Sequence, residues 1–275
     1  MTVVPVLEIG GTHVTAALVD ARQIVARDKR PLAADGEADE ILDTIAACAN
    51  AVEAPIDAVW GVALPGPFDY ADGIARYTGV GKFDRLDGWD FRTELRKRIV
   101  PSPQWIEFGN DAVAFGRGEW LAGAAHGHRR VVGLTLGTGV GSAFLADGVA
   151  VHSGPTVPPD GYAYRLTARG RPIEDFVSRR AIMAAYAQNV DVDVIAGRAR
   201  DGEQAARDVL ESAFGLLSDT LAPWFSRFGA EIAVVGGAMT GSWDVIGPLL
   251  AFGVPSVAAN NPDAALLGAA AWAAR

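Results

Sequence analysis

Cysteine is almost absent from this 275-residue chain, which has a single one, Cys48. One cysteine excludes an intramolecular disulfide framework and a zinc site built from several thiolates. Long apolar runs are missing as well, because even the alanine-rich end is interrupted at residues 260–263. Residues 1–5 lack the basic region and the apolar core of a signal peptide. We therefore expect a cytoplasmic protein without a membrane span.

Basic residues are also scarce. Lysine and arginine total 24 against 33 acidic residues, which gives a formal net charge of −9 and a sequence pI of about 4.9. Such a chain is not suited to non-specific binding of nucleic acid or to docking on anionic membranes, because both need a basic surface. Half of the residues are hydrophobic and 21% are charged, which is the balance of a folded globular protein. The length suffices for two domains with a core each.

Two turns rich in glycine and threonine are the most informative features that are present. The first, at residues 8–12, places Glu-Ile-Gly-Gly-Thr between two apolar runs, and the second lies at residues 135–142. A single turn of this kind usually only connects the strands of a hairpin, since glycine supplies the positive φ that tight turns need. Two such turns predict backbone N–H groups that hold one polyphosphate from opposite sides.

The order of predicted elements indicates an internal duplication. In each half, a hairpin around a Gly/Thr turn is followed by a third strand and then by helices and a further strand. We predict strands over residues 3–9, 13–19, 23–30, 58–64, 105–108, 130–136, 141–146, 149–152 and 231–235. We predict helices over residues 37–54, 91–99, 110–122, 173–189, 203–228 and 264–275. The fold class that follows is α/β, with two similar domains and a cleft between them.

Asn110 and Asp111 stand where a predicted strand ends and a predicted helix begins. Phosphoryl transfer needs backbone donors and a metal ion for the polyphosphate, and a carboxylate that accepts the proton of the attacking hydroxyl. Asp111 is the candidate for that base. Its structural alternative is an N-cap aspartate, which is the commoner role at the start of a helix.

Together these motifs resemble the ROK family (repressors, open reading frames, kinases), in the sugar-kinase branch of the actin-like ATPase fold. The resemblance covers nearly the whole chain and rests on LEIGGTHVTAALVD at 7–20, GVALPGPFDYADGIARY at 61–77, FGNDAVAFGRGEWLAGAA at 108–125, LTLGTGVGSAFLADGVAVHSG at 134–154, AVVGGAMTG at 233–241 and DAALLGAAAWA at 263–273. It implies two actin-like ATPase (ribonuclease H-like) domains, one at 1–112 completed by the C-terminal helix at about 260–275, the other at 113–259. It also implies an ATP-dependent carbohydrate kinase that phosphorylates a hydroxyl, the primary one, of a hexose-like acceptor.

The resemblance assigns roles to individual residues. Asp111 is expected to be the catalytic base, and Glu8 to contact Mg²⁺ through water. The residues expected around ATP are Gly10, Gly11, Thr12, Gly137, Thr138, Gly139, Gly236 and Gly237. The residues expected around the acceptor are Gly66, Lys82, Asn110, Asp111, Tyr162 and Glu174. An exposed acid in the first turn of a helix stays open as the alternative for Glu174, and a solvated lysine for Lys82. The resemblance also implies a homodimer.

Three departures from the family pattern lie mostly on the acceptor side. The first phosphate motif has Glu8 where the family usually has aspartate, which moves the carboxylate outward by one methylene. The loop at 153–171 has neither cysteine nor histidine, so we expect no structural zinc and a loop held by packing. The nearest match in this loop to the family's Glu-x-Gly-His is Pro-Asp-Gly-Tyr at 159–162. Likewise, the segment at 79–83, which contains Lys82, stands where many relatives have an asparagine before Leu-x-x-Trp. We therefore expect a modified sugar or a sugar-like cyclitol as the acceptor.

Two other functions stay open. A sugar-responsive repressor of the same family would carry a helix-turn-helix domain ahead of the first phosphate motif. Here Glu8 lies almost at the first residue, so we expect no nucleic-acid partner. The second alternative is an actin-like protein that binds sugar or nucleotide with weak catalysis or none. Glu8 and the altered loop favour it, whereas Asp111 opposes it.

Overall fold

The computed structural model describes residues 3–274. Contacts within the chain divide it into two units. One comprises the residues up to Gly118 together with those from Asp263 onward, and the other runs from Glu119 to Pro262. Each unit has a five-stranded sheet, which confirms the α/β class predicted from the sequence. Among the described residues, no helix is long and apolar enough to cross a membrane.

The elements are numbered in chain order. The α-helices are α1 (Ala38–Asn50), α2 (Phe91–Arg98), α3 (Asp111–Ala122), α4 (Glu174–Val177), α5 (Arg179–Tyr186), α6 (Val192–Arg200), α7 (Gln204–Phe228), α8 (Trp243–Ile246) and α9 (Ala264–Ala273). The strands are β1 (Val4–Ile9), β2 (His13–Asp20), β3 (Gln23–Pro31), β4 (Val59–Leu64), β5 (Phe68–Asp69), β6 (Ile74–Ala75), β7 (Trp105–Asn110), β8 (Arg130–Leu136), β9 (Val140–Ala146), β10 (Val149–Ala150), β11 (Thr167–Ala168), β12 (Arg171–Pro172), β13 (Ile232–Gly236) and β14 (Ser256–Ala258).

The sheet of the first unit has the strand order β3–β2–β1–β4–β7. Strands β1, β2 and β3 are antiparallel neighbours, whereas β1, β4 and β7 run parallel to one another. Strand β4 reads Val-Trp-Gly-Val-Ala-Leu without polar alternation, which is typical of a parallel strand buried on both faces. The parallel arrangement brings the carboxyl ends of β1, β4 and β7 to one edge of the sheet.

Helix α9 belongs to the first unit and packs against β1 and β4. It is apolar all round, as expected of a buried helix. Gly268 lets it approach the backbone of α3 closely, because a methyl group at this position would overlap the carbonyl of Ala114. The helix predicted over 264–275 is therefore present, and it ends at Ala273. Arg275 lies outside the described residues.

The sheet of the second unit has the strand order β10–β9–β8–β13–β14. Strand β8 pairs antiparallel with β9 and parallel with β13, just as β1 pairs with β2 and β4 in the first unit. The 25-residue helix α7 packs against this sheet, where the rings of Phe225 and Phe228 meet Phe144 of β9 edge to face. The duplication predicted from the order of elements is thus present in the pairing of the strands.

The second unit also differs from the sequence prediction. The single helix predicted over 173–189 is wrong, because Ser178 has extended backbone and interrupts it. The Ser178 hydroxyl accepts a hydrogen bond from the Ala181 N–H and caps α5. The sequence did not predict α6, whose glycine and β-branched residues weaken the helical pattern. It did not predict β14 either, since three residues carry too little periodicity.

Candidate active site

Three strand ends of the first unit bring the expected catalytic residues to one edge of its sheet. Glu8 lies near the end of β1, which pairs parallel with β4, and β4 pairs parallel with β7 up to Asn110. From these ends the chain continues into the Gly10–Thr12 turn, the segment around Gly66, and Asp111. Open α/β sheets bind their ligands at the carboxyl ends of parallel strands.

The Gly10–Thr12 turn joins β1 to β2. The Gly10 N–H donates to the carbonyl of His13 over 2.9 Å, which closes the turn. Thr12 is exposed. In the part of the chain that the structure describes, the N–H groups of Gly11 and Thr12 make no hydrogen bond within the protein. They are therefore available to an anion.

Glu8 and Asp111 form the acidic part of this edge, and both are half-buried. Burial raises the pKa of Glu8, and the neighbouring Asp111 carboxylate raises it further, whereas Lys29 and Arg27 lower it. Burial also raises the pKa of Asp111. Two carboxylates that disfavour each other's charge fit a hard cation such as Mg²⁺, which takes one or two carboxylates and keeps several waters.

Asp111 is the first residue of α3 but does not cap it. The side-chain carbonyl of Asn110 accepts from the N–H groups of Ala112 and Val113, at 3.0 and 3.3 Å, and so caps the helix. The N-cap alternative for Asp111 is therefore wrong. The Asp111 Oδ1 accepts from the Ala112 N–H over 2.8 Å. The buried Asn110 amide also donates to the Tyr70 Oη over 3.1 Å, so this asparagine fixes the backbone that presents Asp111.

The segment around Gly66 follows β4. The Tyr77 Oη donates to the carbonyl of Pro65 over 2.8 Å, and the Tyr70 Oη donates to the carbonyl of Leu64 over 3.3 Å. Two phenol groups thus fix the backbone immediately before Gly66, which is half-buried. The same Tyr70 hydroxyl accepts from the amide that caps α3, so the ends of β4 and β7 are tied to each other.

Lys82 is half-buried and lies against the Gly10–Thr12 turn. A Cβ atom on Gly11 would lie 3.5 Å from the Lys82 Cδ. The ammonium also lowers the pKa of Asp111, against the larger effect of burial. The structure thus places this lysine with the first Gly/Thr turn and the candidate base.

The Gly137–Gly139 turn joins β8 to β9 in the second unit. Its first N–H donates to its last carbonyl over 3.1 Å, and its first carbonyl accepts from the Arg179 N–H over 2.8 Å. The Glu174 Oε1 accepts from the Val140 N–H over 2.8 Å, directly after the turn. A methyl group on the last glycine would overlap this carboxylate. Glu174 therefore contacts the second Gly/Thr turn, a contact that the sequence did not predict.

The Gly236-Gly237 pair lies where β13 ends. Gly237 has a φ of 93°, and a methyl group there would overlap the carbonyl of Leu136, so this position requires glycine. A cavity of about 130 Å³ lies beside the first glycine of the Gly137–Gly139 turn and the segment that follows the Gly236-Gly237 pair. The lining residues are Gly137, Arg179, Asp191, Val192, Asp193, Ala238, Met239 and Ser242.

Arg179 and Asp191 in this cavity were missed by the sequence analysis. The Arg179 guanidinium donates two hydrogen bonds of 2.7 Å to the two oxygens of Asp191. This ion pair lowers the pKa of Asp191. The two residues are twelve positions apart and belong to no motif, so only the break before α5 could have drawn attention to Arg179.

Tyr162 lies in a loop that the buried Ser142 fastens to β9. The Ser142 hydroxyl donates to the carbonyl of Gly161 over 2.8 Å and accepts from the Ala163 N–H over 2.7 Å. The half-buried Tyr162 ring stacks on Tyr164, with centroids 5.4 Å apart and planes at 18°. Hydrogen bonds to a core strand therefore hold this loop together with packing.

The structure divides the predicted residues between its two units. The first unit holds Glu8, Gly10, Gly11, Thr12, Gly66, Lys82, Asn110 and Asp111, and the second holds Gly137, Thr138, Gly139, Tyr162, Glu174, Gly236 and Gly237. Over residues 3–274, no three or more His, Cys, Asp or Glu side chains are grouped so that they could hold a metal ion. That the protein lacks structural zinc stays a prediction.

Comparison with known proteins adds the family. The chain is 27% identical to a glucokinase from Thermotoga maritima, with 88% of this chain and 84% of the relative covered. It is 23% identical to an N-acetyl-D-glucosamine kinase from Pectobacterium carotovorum, with 90% and 88% covered. Its fold matches a ROK family glucokinase from Streptomyces griseus, crystallised with glucose and AMPPNP, with a TM-score of 0.75, 21% identity and 98% of both chains covered. The sequence profile of the ROK family matches residues 5–275, so the chain belongs to the ROK family.

Proposed function

We propose that this chain is an ATP-dependent carbohydrate kinase. It transfers the terminal phosphoryl group of ATP to a hydroxyl group, the primary one, of a hexose, an amino sugar or a hexose-like acceptor. The observation that carries the proposal is the position of Asp111, a half-buried carboxylate at the end of β7 that is relieved of helix capping and lies near Glu8. The names of the two sequence relatives support the same class of acceptor.

Asp111 acts as the base. It accepts the proton of the acceptor hydroxyl while that oxygen attacks the terminal phosphorus. The new bond joins the acceptor oxygen to phosphorus, the bond between phosphorus and the ADP oxygen breaks, and ADP leaves with the electron pair. The raised pKa of Asp111 makes it a stronger base than an exposed aspartate.

Glu8 and the first Gly/Thr turn serve the phosphates. Gly10, Gly11 and Thr12 would surround the phosphates. The N–H groups of Gly11 and Thr12, with the Thr12 hydroxyl, bind phosphate oxygens, and the Gly10 N–H closes the turn on the His13 carbonyl. Glu8 would hold Mg²⁺ through water, and the bound ion would neutralise part of the phosphate charge. The longer glutamate side chain suits a contact through water better than a direct one.

The second unit contributes a further phosphate turn and the adenosine site. Gly137, Thr138 and Gly139 would bind phosphate, and Gly236 and Gly237 would lie by the adenosine. A cavity with Gly137 and Ala238 in its lining supports this assignment, because a ligand there would contact the second turn and the residue that directly follows the glycine pair.

Gly66, Asn110, Tyr162 and Glu174 would bind the acceptor. One Glu174 oxygen already accepts from the Val140 N–H, and the other would accept from an acceptor hydroxyl. The stacked ring of Tyr162 would offer an aromatic face to the acceptor where the family has histidine. This difference supports a modified sugar or a cyclitol as the preferred acceptor.

The test is ADP release with ATP and Mg²⁺ and a panel of sugars, amino sugars and cyclitols. We expect acceptor-dependent release with the highest kcat/KM on a modified sugar or a cyclitol. The highest kcat/KM on unmodified glucose would contradict the acceptor assignment. The control Asp111→Asn deletes the proton acceptor with little change in volume, and should lower kcat by about 10²- to 10⁴-fold with AMPPNP affinity preserved. If no acceptor of the panel supports ADP release, the kinase proposal is overturned and a nucleotide-binding protein without kinase activity is favoured.

The homodimer and the cytoplasmic location belong to the same proposal. They rest on the family resemblance and on composition. Light scattering on the purified protein would test the first, with an expected mass of twice the 28.8 kDa of one chain.

A further inference from the structure

Lys82 lies in a segment whose backbone is fixed on both sides. The next residue, Phe83, is buried and left-handed, with a φ of 61°, and its N–H donates to the carbonyl of Ala34 over 2.6 Å. The Asp84 carboxylate accepts from the N–H groups of the two residues before Lys82, at 3.1 and 3.0 Å. None of these contacts uses the Lys82 side chain. They fix the backbone of Lys82 and leave its ammonium group free to bind elsewhere.

The Lys82 stem lies against Gly11. Its Cδ would be 3.5 Å from a Cβ atom there, which is an ordinary van der Waals distance. Gly11 belongs to the turn in which two N–H groups make no hydrogen bond within the described residues and are available to an anion. The ammonium is also close enough to Asp111 to lower the pKa of that carboxyl. One cation therefore lies near both the first phosphate turn and the base.

The other charges at this edge leave the Lys82 ammonium available. Arg27 forms an ion pair with Asp263, and Lys29 acts on Glu8. Over residues 3–274, Lys82 forms no ion pair of its own. A phosphate oxygen carries negative charge and a sugar hydroxyl is neutral, so only the phosphate adds Coulombic attraction to the hydrogen bond from the ammonium. A phosphate group is therefore a better partner for it than a sugar hydroxyl.

We propose that Lys82 is a catalytic residue that binds the terminal phosphoryl group of the nucleotide at the Gly10–Thr12 turn. This role takes the place of the acceptor contact expected from the sequence, and it rests on the proposed kinase function. Lys82 donates hydrogen bonds to the non-bridging oxygens of the group in transfer, and it keeps its own protons throughout. Lys82 stabilises negative charge on the phosphoryl group, while Asp111 takes the proton of the acceptor hydroxyl. The two side chains therefore act on the two reactants of one step.

The experiment compares Lys82→Met, which removes the charge, with Lys82→Arg, which keeps it. Lys97→Met is the matched control, because Lys97 is an exposed lysine that pairs with Glu94 away from the site. We expect Lys82→Met to lower kcat by about 10²- to 10³-fold, as for the loss of one transition-state donor, with the acceptor KM within about threefold of wild type. The kcat of Lys82→Arg should be at least about tenfold higher than that of Lys82→Met, because arginine keeps the positive charge.

A second readout does not depend on turnover. Calorimetry with AMPPNP and with ADP measures the affinity for the terminal phosphate by difference. Lys82→Met should weaken AMPPNP by about tenfold and leave ADP unchanged, because only AMPPNP carries the third phosphate. Thermal melting checks that each variant is folded. This readout stands even if no acceptor supports turnover, so its failure and the failure of the kinase proposal are distinguishable.

Two results would overturn the proposal. A rise of tenfold or more in the acceptor KM, with kcat and the AMPPNP affinity unchanged, would assign Lys82 to the acceptor. Wild-type kinetics and wild-type affinities in the Lys82→Met variant would show that Lys82 is a solvated lysine without a role in catalysis.

Discussion

The two Gly/Thr turns are alike in sequence and differ in their surroundings. The first, Gly10–Thr12, lies near two half-buried carboxylates and against the stem of Lys82. The second, Gly137–Gly139, is held by a hydrogen bond from the Arg179 N–H and is followed by an N–H that donates to Glu174. The charged side chains near the first turn make no hydrogen bond to the backbone of that turn in the described residues. At the second turn, the Glu174 carboxylate accepts a hydrogen bond from the backbone directly after the turn.

This difference predicts that the two turns contribute to different steps of catalysis. At the first turn, ionisable side chains lie where a proton and a phosphoryl group would move. At the second turn, the polar groups fix the backbone that receives the ligand. Substitutions at the first turn should therefore lower kcat, and substitutions at the second should raise the KM for ATP.

The largest contrast is expected between Glu8→Ala and Glu174→Ala. Glu8→Ala should lower kcat by about a hundredfold, because a metal contact is worth several kcal/mol at the transition state. Glu174→Ala leaves the Val140 N–H without its partner and should raise the KM for ATP by about tenfold, with a smaller change in kcat. Because it also removes the proposed contact with the acceptor hydroxyl, the acceptor KM should rise as well. Steady-state kinetics at saturating Mg²⁺ measures both. Glu8→Asp is the control that keeps the charge and should retain turnover. The reverse pattern in the two alanine variants would show that the two turns do not differ in this way.

Gly139→Ala should act like a milder version of the Glu174 change. Its methyl group would displace the carboxylate from the Val140 N–H, and we expect the KM for ATP to rise by about fivefold. Gly215→Ala is the matched control, because it lies in α7 with open space around it and should leave the kinetics unchanged. An unchanged KM in Gly139→Ala would show that the Glu174 contact does not support the turn.

The pH dependence of catalysis tests the electrostatics of the first turn. In the proposed mechanism the free enzyme needs Asp111 ionised, so kcat/KM should fall as pH falls through the pKa of this group. Because burial raises that pKa, the acid limb should lie above the value of about 3.9 for an exposed aspartate. Glu8 faces the same group and Lys82 lowers its pKa, so Lys82→Met should move the limb to higher pH and Lys82→Arg should not. A limb in the ordinary aspartate range in all three proteins would contradict the burial of the base.

The smallest effect is expected on stability. Ser142→Ala removes both hydrogen bonds that fasten the Tyr162 loop and should lower the free energy of unfolding by about 1–3 kcal/mol. Ser218→Ala is matched to it, since this buried hydroxyl also bridges two backbone groups, Phe214 and Ala251. Both variants should lose similar stability in denaturant unfolding, but only Ser142→Ala should raise the acceptor KM. An equal acceptor KM in the two serine variants would show that the Tyr162 loop does not contribute to acceptor binding.

Much of the fold could be predicted from local patterns in the sequence. The strands around the two turns and the long helix at Gln204–Phe228 carry clear periodicity, and their predicted and observed bounds agree to within a few residues. The break at Ser178 could not be predicted in the same way. It depends on a serine side chain that caps a new helix inside an otherwise helical pattern. The strand Ser256–Ala258 depends on its pairing with β13, which is a non-local contact.

The candidate site shows the same limit. The positions of Asp111 and the glycine turns could be predicted because they follow strand ends. What each side chain contacts could not, since those contacts depend on segments distant in sequence. Lys82 contacts Gly11 although the two residues are 71 positions apart, and Glu174 contacts Val140 from a separate helix. The capping role of Asn110 was also hidden, because asparagine and aspartate both favour that position.

The most direct test is a crystal structure with AMPPNP, Mg²⁺ and the best acceptor from the panel. We predict that an Asp111 carboxylate oxygen lies within hydrogen-bond distance, about 2.6–3.2 Å, of one acceptor hydroxyl that faces the terminal phosphate. An Asp111 side chain directed away from the acceptor, or an acceptor whose hydroxyls are all distant from the nucleotide, would contradict the account.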